Sequence, residues 1–314
     1  MNKEPLVSII MPTYNRARLV GRAVDSVLAQ TYRNFEFIIV DDASTDETAQ
    51  VIASIADGRI RFFRNDVRRG AAFSRNVGIR AATGQYIGFQ DSDDEWNPDK
   101  LARQMAALAN TPADVGVAYT GFWKELAGKR TYIPSHRIAV REGNIHQALL
   151  WGNFLGTPAL LVKRNCLQAV GLFAEELLRF QDWELCLRLS VSYKFVFIDE
   201  PLFTAYYNDD NISKDDAAAL HALSMIFAKF NQEIVSDRRL LAHYQHWLAL
   251  CCATLGMKTE ACRFLWRAVW SNPLNGKYYV SALVGIVSPK ALMRLVVAFQ
   301  RYKIHKASGQ WGRG

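Results

Sequence analysis

The chain has 314 residues, half of them hydrophobic, with a net charge of +8. That allows one large domain, or one domain plus an extension, around a substantial core. Five cysteines (Cys166, Cys186, Cys251, Cys252 and Cys262) show no paired zinc spacing and read as reduced thiols of a cytoplasmic protein. No apolar run reaches the ~18–20 residues of a membrane span, and no signal peptide is expected before the first strand.

The first ~110 residues alternate between strand and helix. Leu6 to Met11 is a continuous apolar strand. Arg16 to Gln30 is a helix with Val20, Val24, Val27 and Leu28 on one face. Phe35 to Val40 is the second strand. Ser44-Thr45-Asp46-Glu47 has capping-box spacing and predicts a helix to about Ala56. Ile60 to Phe63 is a strand, Ala71 to Ala82 a helix stopped by Gly84, and Tyr86 to Gln90 a strand. Asn97-Pro98 opens a helix to about Asn110. This alternation predicts a mostly parallel sheet covered on both faces.

After Val115 the pattern is mixed. Strands are expected at Val115–Thr120, Ala159–Val162, Lys194–Ile198 and Leu202–Tyr207, with a hairpin turn at Ala127-Gly128. Trp183 to Val191 is a helix. From about Asp216 only helices are expected, with breaks near Asp237, Lys258, Asn275 and Ser288-Pro289. The domain reading is therefore 1–215, split into halves 1–110 and 111–215, and a helical extension 216–314.

The basic charge belongs to that extension. Nine lysines and arginines and no acid follow Glu260, which leaves −1 for Met1 to Glu260. Arg263, Arg267 and Lys277 interleave with Trp266, Trp270, Tyr278 and Tyr279, and Lys290 to Arg313 continue the pattern. Two readings stay open: a membrane-surface segment, or a helical appendage with a solvated basic face. No nucleic-acid motif accompanies the charge, so no nucleic-acid partner is expected.

The feature most suggestive of chemistry is Asp91-Ser92-Asp93-Asp94, at the end of the apolar run Tyr86-Ile87-Gly88-Phe89-Gln90. Three carboxylates in four residues repel one another unless something cationic joins them. A strand ending in Asp-x-Asp can hold a divalent ion, which can hold a diphosphate. Asp41-Asp42 ends another strand. Open α/β sheets bind ligands at this carboxyl edge.

Four blocks carry a resemblance: Val7 to Asn15, Val40 to Asp46, Arg75-Asn76 followed by Gly78, and Gly84 to Asp94. In this order and spacing the chain resembles family 2 glycosyltransferases with the GT-A fold, a Rossmann-like α/β sheet. The resemblance covers about the first 100 residues, and continues loosely through Tyr207 to Ser213.

It implies an inverting transfer from a nucleotide-sugar donor, with a UDP-sugar expected, to a saccharide or lipid-linked acceptor in cell-surface polysaccharide synthesis. Pro12, Tyr14 and Asp42 would line the base pocket, and Arg75 would reach the diphosphate or the acidic cluster. Asp93 would ligate Mg²⁺ or Mn²⁺, with Asp91 beside it on ribose or metal-bound water. Asp182, in Gln181-Asp182-Trp183-Glu184, would be the general base, where many relatives carry Glu-Asp-Trp. It could also cap the following helix. Asn208 stands where relatives often have a metal-binding His. Trp151, Asn153, Phe154 and Trp183 could form a sugar platform or ordinary core; His136 and His146 read as acceptor-side surface. Asp41 and Asp94 read equally as turn or helix caps, and Arg68-Arg69 as a solvated loop. The protein would work on the cytoplasmic face of the cell membrane, held there by its basic helices. The alternatives are a non-catalytic nucleotide-sugar-binding protein and a nucleotidyltransferase; the first strand lacks the triphosphate loop of the latter.

Overall fold

The computed structural model describes residues 4–207 and 215–287, with side chains up to 283. In the first unit, Met1–Ile212, β1 (Val7–Thr13), α1 (Val20–Leu28), β2 (Phe35–Asp41), α2 (Thr48–Ala53), β3 (Ile60–Arg64), α3 (Ala71–Ala81) and β4 (Tyr86–Phe89) alternate as expected. β5 (Glu95–Trp96), α4 (Lys100–Leu108), β6 (Val115–Leu126), β7 (Lys129–Ile133), α5 (His146–Leu150), β8 (Leu160–Lys163), α6 (Arg164–Val170), α7 (Gln181–Ser192) and β9 (Lys194–Tyr207) follow.

The strands form one sheet in the order β3-β2-β1-β4-β8-β6-β9-β5, with β7 on β6. β3, β2, β1 and β4 are parallel neighbours. β8 then runs antiparallel to both β4 and β6, and β6 pairs parallel with β9. All seven residues of β1 are buried, which fits its mostly apolar sequence: the strand is covered on both faces. α3 packs on β1 and β2. Gly78 is what lets it approach, because a Cβ there would lie 2.5 Å from Ile10 Cγ2.

The chain steps from β1 to β2 to β3 in one direction, then places β4 on the other side of β1. The crevice between the carboxyl ends of β1 and β4 is therefore the topological switch point, where open α/β sheets bind ligands. Tyr14 follows one of these ends and Asp91 the other.

Several elements differ from the sequence expectation. The capping box does not form. Ser44 donates its hydroxyl to Asp41 Oδ1 and accepts the Asn15 N–H at 2.9 Å, so α2 starts at Thr48. The two strands expected at 194–198 and 202–207 are one, β9. Its register against β6 slips between Ile198 and Pro201, since proline has no N–H for the ladder. Short elements β5, α5 and α6 carry too few residues for a periodic signal. The hairpin turn is as expected, with positive φ at Ala127 and Gly128.

The described residues of the second unit, Ser213–Gly314, are helical. They form α8 (Asp216–Lys229), α9 (Asn231–Ser236), α10 (Arg238–Thr254), α11 (Lys258–Ser271) and α12 (Gly276–Val287). Asp215 and Asp237 cap α8 and α10 by accepting N–H groups of their first turns. Ala249, Cys252, Leu265, Ala268, Tyr278 and Ala282 join α10, α11 and α12 in one core. All five cysteines are free thiols. Asn208 and the break expected at Ser288-Pro289 lie outside the described residues.

Glu36 fastens the sheet at its amino edge. It accepts from Ser8 Oγ (2.6 Å), Thr83 N and Oγ1 (2.6 and 2.7 Å) and Arg61 Nη1 (2.5 Å). Burial alone would raise its pKa, but these donors outweigh it and hold the carboxyl down at about 2. Its contribution should be complete above the ordinary glutamate range and lost as pH falls from about 4.5 to about 2. Urea denaturation of Glu36→Gln should show a loss of about 2 kcal/mol at neutral pH, and a weaker acid dependence than the parent.

Candidate active site

The carboxylates at the sheet edge have separate tasks. Asp41 is fully buried at the end of β2. It accepts the Ser44 N–H at 3.1 Å and lies 3.3 Å from Arg64, so it caps the turn. Asp42 binds its own chain: Asn65 Nδ2 (2.8 Å) and Arg69 N (2.9 Å) donate to one oxygen, and Gly70 N (2.7 Å) to the other. This clasp fixes the loop that opens α3. An ionised carboxylate has about four acceptor positions, so about one remains for a ligand N–H. The Tyr14 ring carries the Arg68 guanidinium 4.2 Å from its centroid. Arg68 and Arg69 are exposed in a loop, as expected, and Arg69 sits likewise over a ring, that of Phe73. Pro12 is buried inside β1, in register with Val40.

Arg75 joins the two halves of the unit. It is buried on α3. Its Nη2 donates to Asp91 Oδ1 at 2.7 Å and its Nη1 to Gln181 Oε1 at 2.8 Å. The next residue, Asn76, exchanges hydrogen bonds with Phe173 N and O and also reaches Glu175. The Arg75-Asn76-x-Gly78 block therefore has a physical meaning. Arginine grips the acidic loop and the start of α7, asparagine grips the segment before α7, and glycine seats the helix on β1.

Asp94 is buried and accepts Tyr206 N at 3.2 Å, so it holds β9 rather than capping α4. Burial, followed by repulsion from Asp91 and Asp93, pushes its pKa well up. Asp93 is also raised, by burial first and then by Asp91, against the pull of Arg16 and Arg22. Arg16 stands 3.8 Å from its carboxylate. Arg22 donates to the Asp93 carbonyl at 2.6 Å and lies 4.0 Å over the Tyr206 ring, clamping the acidic turn to β9. Among the described residues no three potential ligands cluster. Asp91 is held by Arg75 and Asp94 by Tyr206, while Asp93 meets Arg16 only at 3.8 Å, so Asp93 is the carboxylate that could take a cation. One carboxylate completed by phosphates and water is a donor set that suits Mg²⁺ or Mn²⁺, and a cation there would offset the burial and the Asp91 repulsion that raise Asp93.

Asp182 lies in the first turn of α7. The residue at the helix cap is Phe180, in a left-handed conformation (φ 60°), so Asp182 is not the cap. Its Oδ1 accepts the Trp183 N–H at 2.8 Å, and Asn153 also donates to its side chain. Burial nevertheless wins and raises its pKa; Arg75 and Asp91 are close enough to act on it in opposite directions. The expected sugar platform is mostly core. Trp183 is fully buried with its indole N–H on Leu149 O (2.8 Å), and Phe154 is buried near Tyr119. Trp151 remains exposed. His146 is buried against Ser190 Oγ at 2.8 Å and is not a surface residue.

The sequence decides the family once this geometry is in place. The model of glycosyl transferase family 2 matches residues 8–164. The chain belongs to that family. It is a glycosyltransferase. It is 37% identical over 203 residues to the "Putative colanic acid biosynthesis glycosyl transferase WcaA" of Escherichia coli K12, covering 62% of this chain and 69% of that one. It is 42% identical over 103 residues to an Escherichia coli protein named "UDP-Glc:alpha-D-GlcNAc-diphosphoundecaprenol beta-1,3-glucosyltransferase WfgD", covering 33% and 41%. Among solved structures, S. aureus TarS 1-349 in complex with UDP-GlcNAc matches with TM-score 0.66 at 18% identity, over 98% of this chain and 93% of that one. The Pyrobaculum calidifontis mannosyltransferase PcManGT with GDP-Man and Mn²⁺ matches with TM-score 0.59 at 20% identity, over 94% and 87%. These likenesses establish the GT-A fold.

In this glycosyltransferase, sequence reasoning missed Arg16, Arg22 and Tyr207. The Tyr207 hydroxyl is pushed up to about 12 by burial and then by Asp94, Asp182, Asp91 and Asp93, so four carboxylates act on it together. Lys124 lies 3.9 Å over its ring. Only the aromatic pair at the end of the last strand hinted at this. The Asp42 clasp yields a test. Asp42→Ala should strip the Arg69 and Gly70 amides of protection in hydrogen exchange and cost about 1–3 kcal/mol. Unchanged protection would mean the loop is held by something else.

Proposed function

We propose that the protein is an inverting glycosyltransferase that moves a sugar from a UDP-sugar to a saccharide or lipid-linked acceptor during assembly of a cell-surface polysaccharide. One observation carries the mechanism: Arg75 bonds at once to Asp91, on the acidic loop, and to Gln181, the residue before Asp182. The donor-side acid and the candidate base are thereby held by one buried cation. The names of the two Escherichia coli relatives support the chemistry, one citing colanic acid and the other UDP-glucose with a diphosphoundecaprenol acceptor.

In this reading the Tyr14 phenol packs on the base, beside Pro12, and the remaining acceptor position of Asp42 takes the uracil imide N–H. Asp91, oriented by Arg75, faces the ribose and diphosphate. The acceptor oxygen attacks the anomeric carbon from the face opposite the diphosphate, and Asp182 takes its proton. The anomeric C–O bond breaks, and its electron pair leaves with the diphosphate. Asp93 would hold Mg²⁺ or Mn²⁺, which supplies positive charge to the leaving group when bound. A lipid-linked acceptor places the enzyme on the cytoplasmic face of the membrane. No helix among the described residues is long and apolar enough to cross one.

The test uses Asp182. Because burial raises its pKa, turnover should fall on the acid side with a midpoint above the usual aspartate value of about 3.9. Asp182→Asn should lose about 10³-fold in turnover while UDP affinity in calorimetry stays within about threefold. A variant that keeps more than a tenth of parental turnover would remove Asp182 as the base.

A further inference from the structure

The second unit carries a surface unlike an ordinary solvated helix. α11 turns Ala261, Leu265, Ala268 and Val269 into the core. Its opposite side presents Arg263, Trp266, Arg267 and Trp270, all exposed. Their spacing of three, four and seven residues puts them on one face. Trp270 is 76% exposed, and Leu274 in the following turn is 97% exposed. α12 buries Tyr278, Ser281 and Ala282 but leaves Tyr279, Val280 and Leu283 exposed, the last at 63%. Large apolar side chains gathered like this in water mark an interaction surface.

The charge says what kind. Between Glu260 and Val287 the chain has Arg263, Arg267 and Lys277 and no acid. A symmetric dimer through this face would bring two copies of the same basic patch together, with no acid between Glu260 and Val287 to pair with Arg263, Arg267 and Lys277. An anionic lipid surface avoids that conflict. Its phosphates attract the cations, while tryptophan, tyrosine and leucine enter the headgroup and acyl boundary.

We propose that the outward faces of α11 and α12, centred on Trp270 and Leu274, dock this protein on an anionic membrane surface. The purpose of such docking rests on the lipid-linked acceptor proposed above, but its evidence does not.

The full chain should co-sediment with vesicles of phosphatidylglycerol and phosphatidylethanolamine at least about tenfold more strongly than with phosphatidylcholine vesicles, and raised salt should weaken the binding. Trp270→Ser with Leu274→Ser, and separately Arg263→Glu with Arg267→Glu, should each reduce anionic binding by at least about tenfold. UDP affinity should not change in either. Parental binding in both variants, or none by the parent, overturns the proposal. So does a smaller oligomer by light scattering in either variant, since the face would then join copies of the chain. Loss of UDP binding by the parent would instead undo the donor reading and leave the vesicle result standing.

Discussion

A buried guanidinium between an acid and an amide organises the first unit. Arg75 brings a full charge out of water, and its Nε finds no partner among the described residues. Asp91 compensates the charge, Gln181 accepts a second hydrogen bond, and the Phe173 ring lies 5.5 Å from the guanidinium carbon. Arg75 is the buried member of this pair and Asp91 is partly exposed, so losing Asp91 should cost less than the ~3–5 kcal/mol of a fully buried pair. The contact ties the acidic loop after β4 to the start of α7, so the two keep a fixed spacing.

That spacing lets the other carboxylates divide their labour. Asp41, Asp42 and Asp94 hold a turn, a loop and a strand, and Asp42 keeps about one acceptor position free. Asp93 and Asp182, like buried Asp94, have raised pKa values, and they stand one on each side of the Arg75 bridge. A row of acids at one sheet edge would simply repel. Here backbone N–H groups and arginines offset part of that repulsion, and the remainder adds to burial at Asp93 and Asp94.

The parallel half of the sheet was legible because β1, β2 and β4 are mostly apolar and helix-like segments separate the strands. The acidic edge was legible because clustered carboxylates have few structural uses. What was not legible depends on long-range partners. Nothing within Arg75 to Gly78 announces that arginine meets a glutamine 106 positions later. Trp183 looks like a sugar platform until its indole is found on a core carbonyl. Ser44 has the spacing of a cap, but Asp41 and Asn15 compete for its hydroxyl and win. Pro201 splits the sequence signal of a strand that the ladder carries across it. In the helical unit, spacing alone could not say which tryptophans were core; the packing of α11 leaves Trp266 and Trp270 outside it.

The central claim is that the edge around Asp93 is a metal-assisted donor site. Calorimetric titration with UDP, with and without Mn²⁺, on the parent and on Asp93→Ala tests it most directly. The account predicts that Mn²⁺ tightens UDP binding to the parent and that the variant loses at least about tenfold of that metal-dependent affinity. Equal affinity for UDP in parent and variant, with Mn²⁺ making no difference to either, would contradict it.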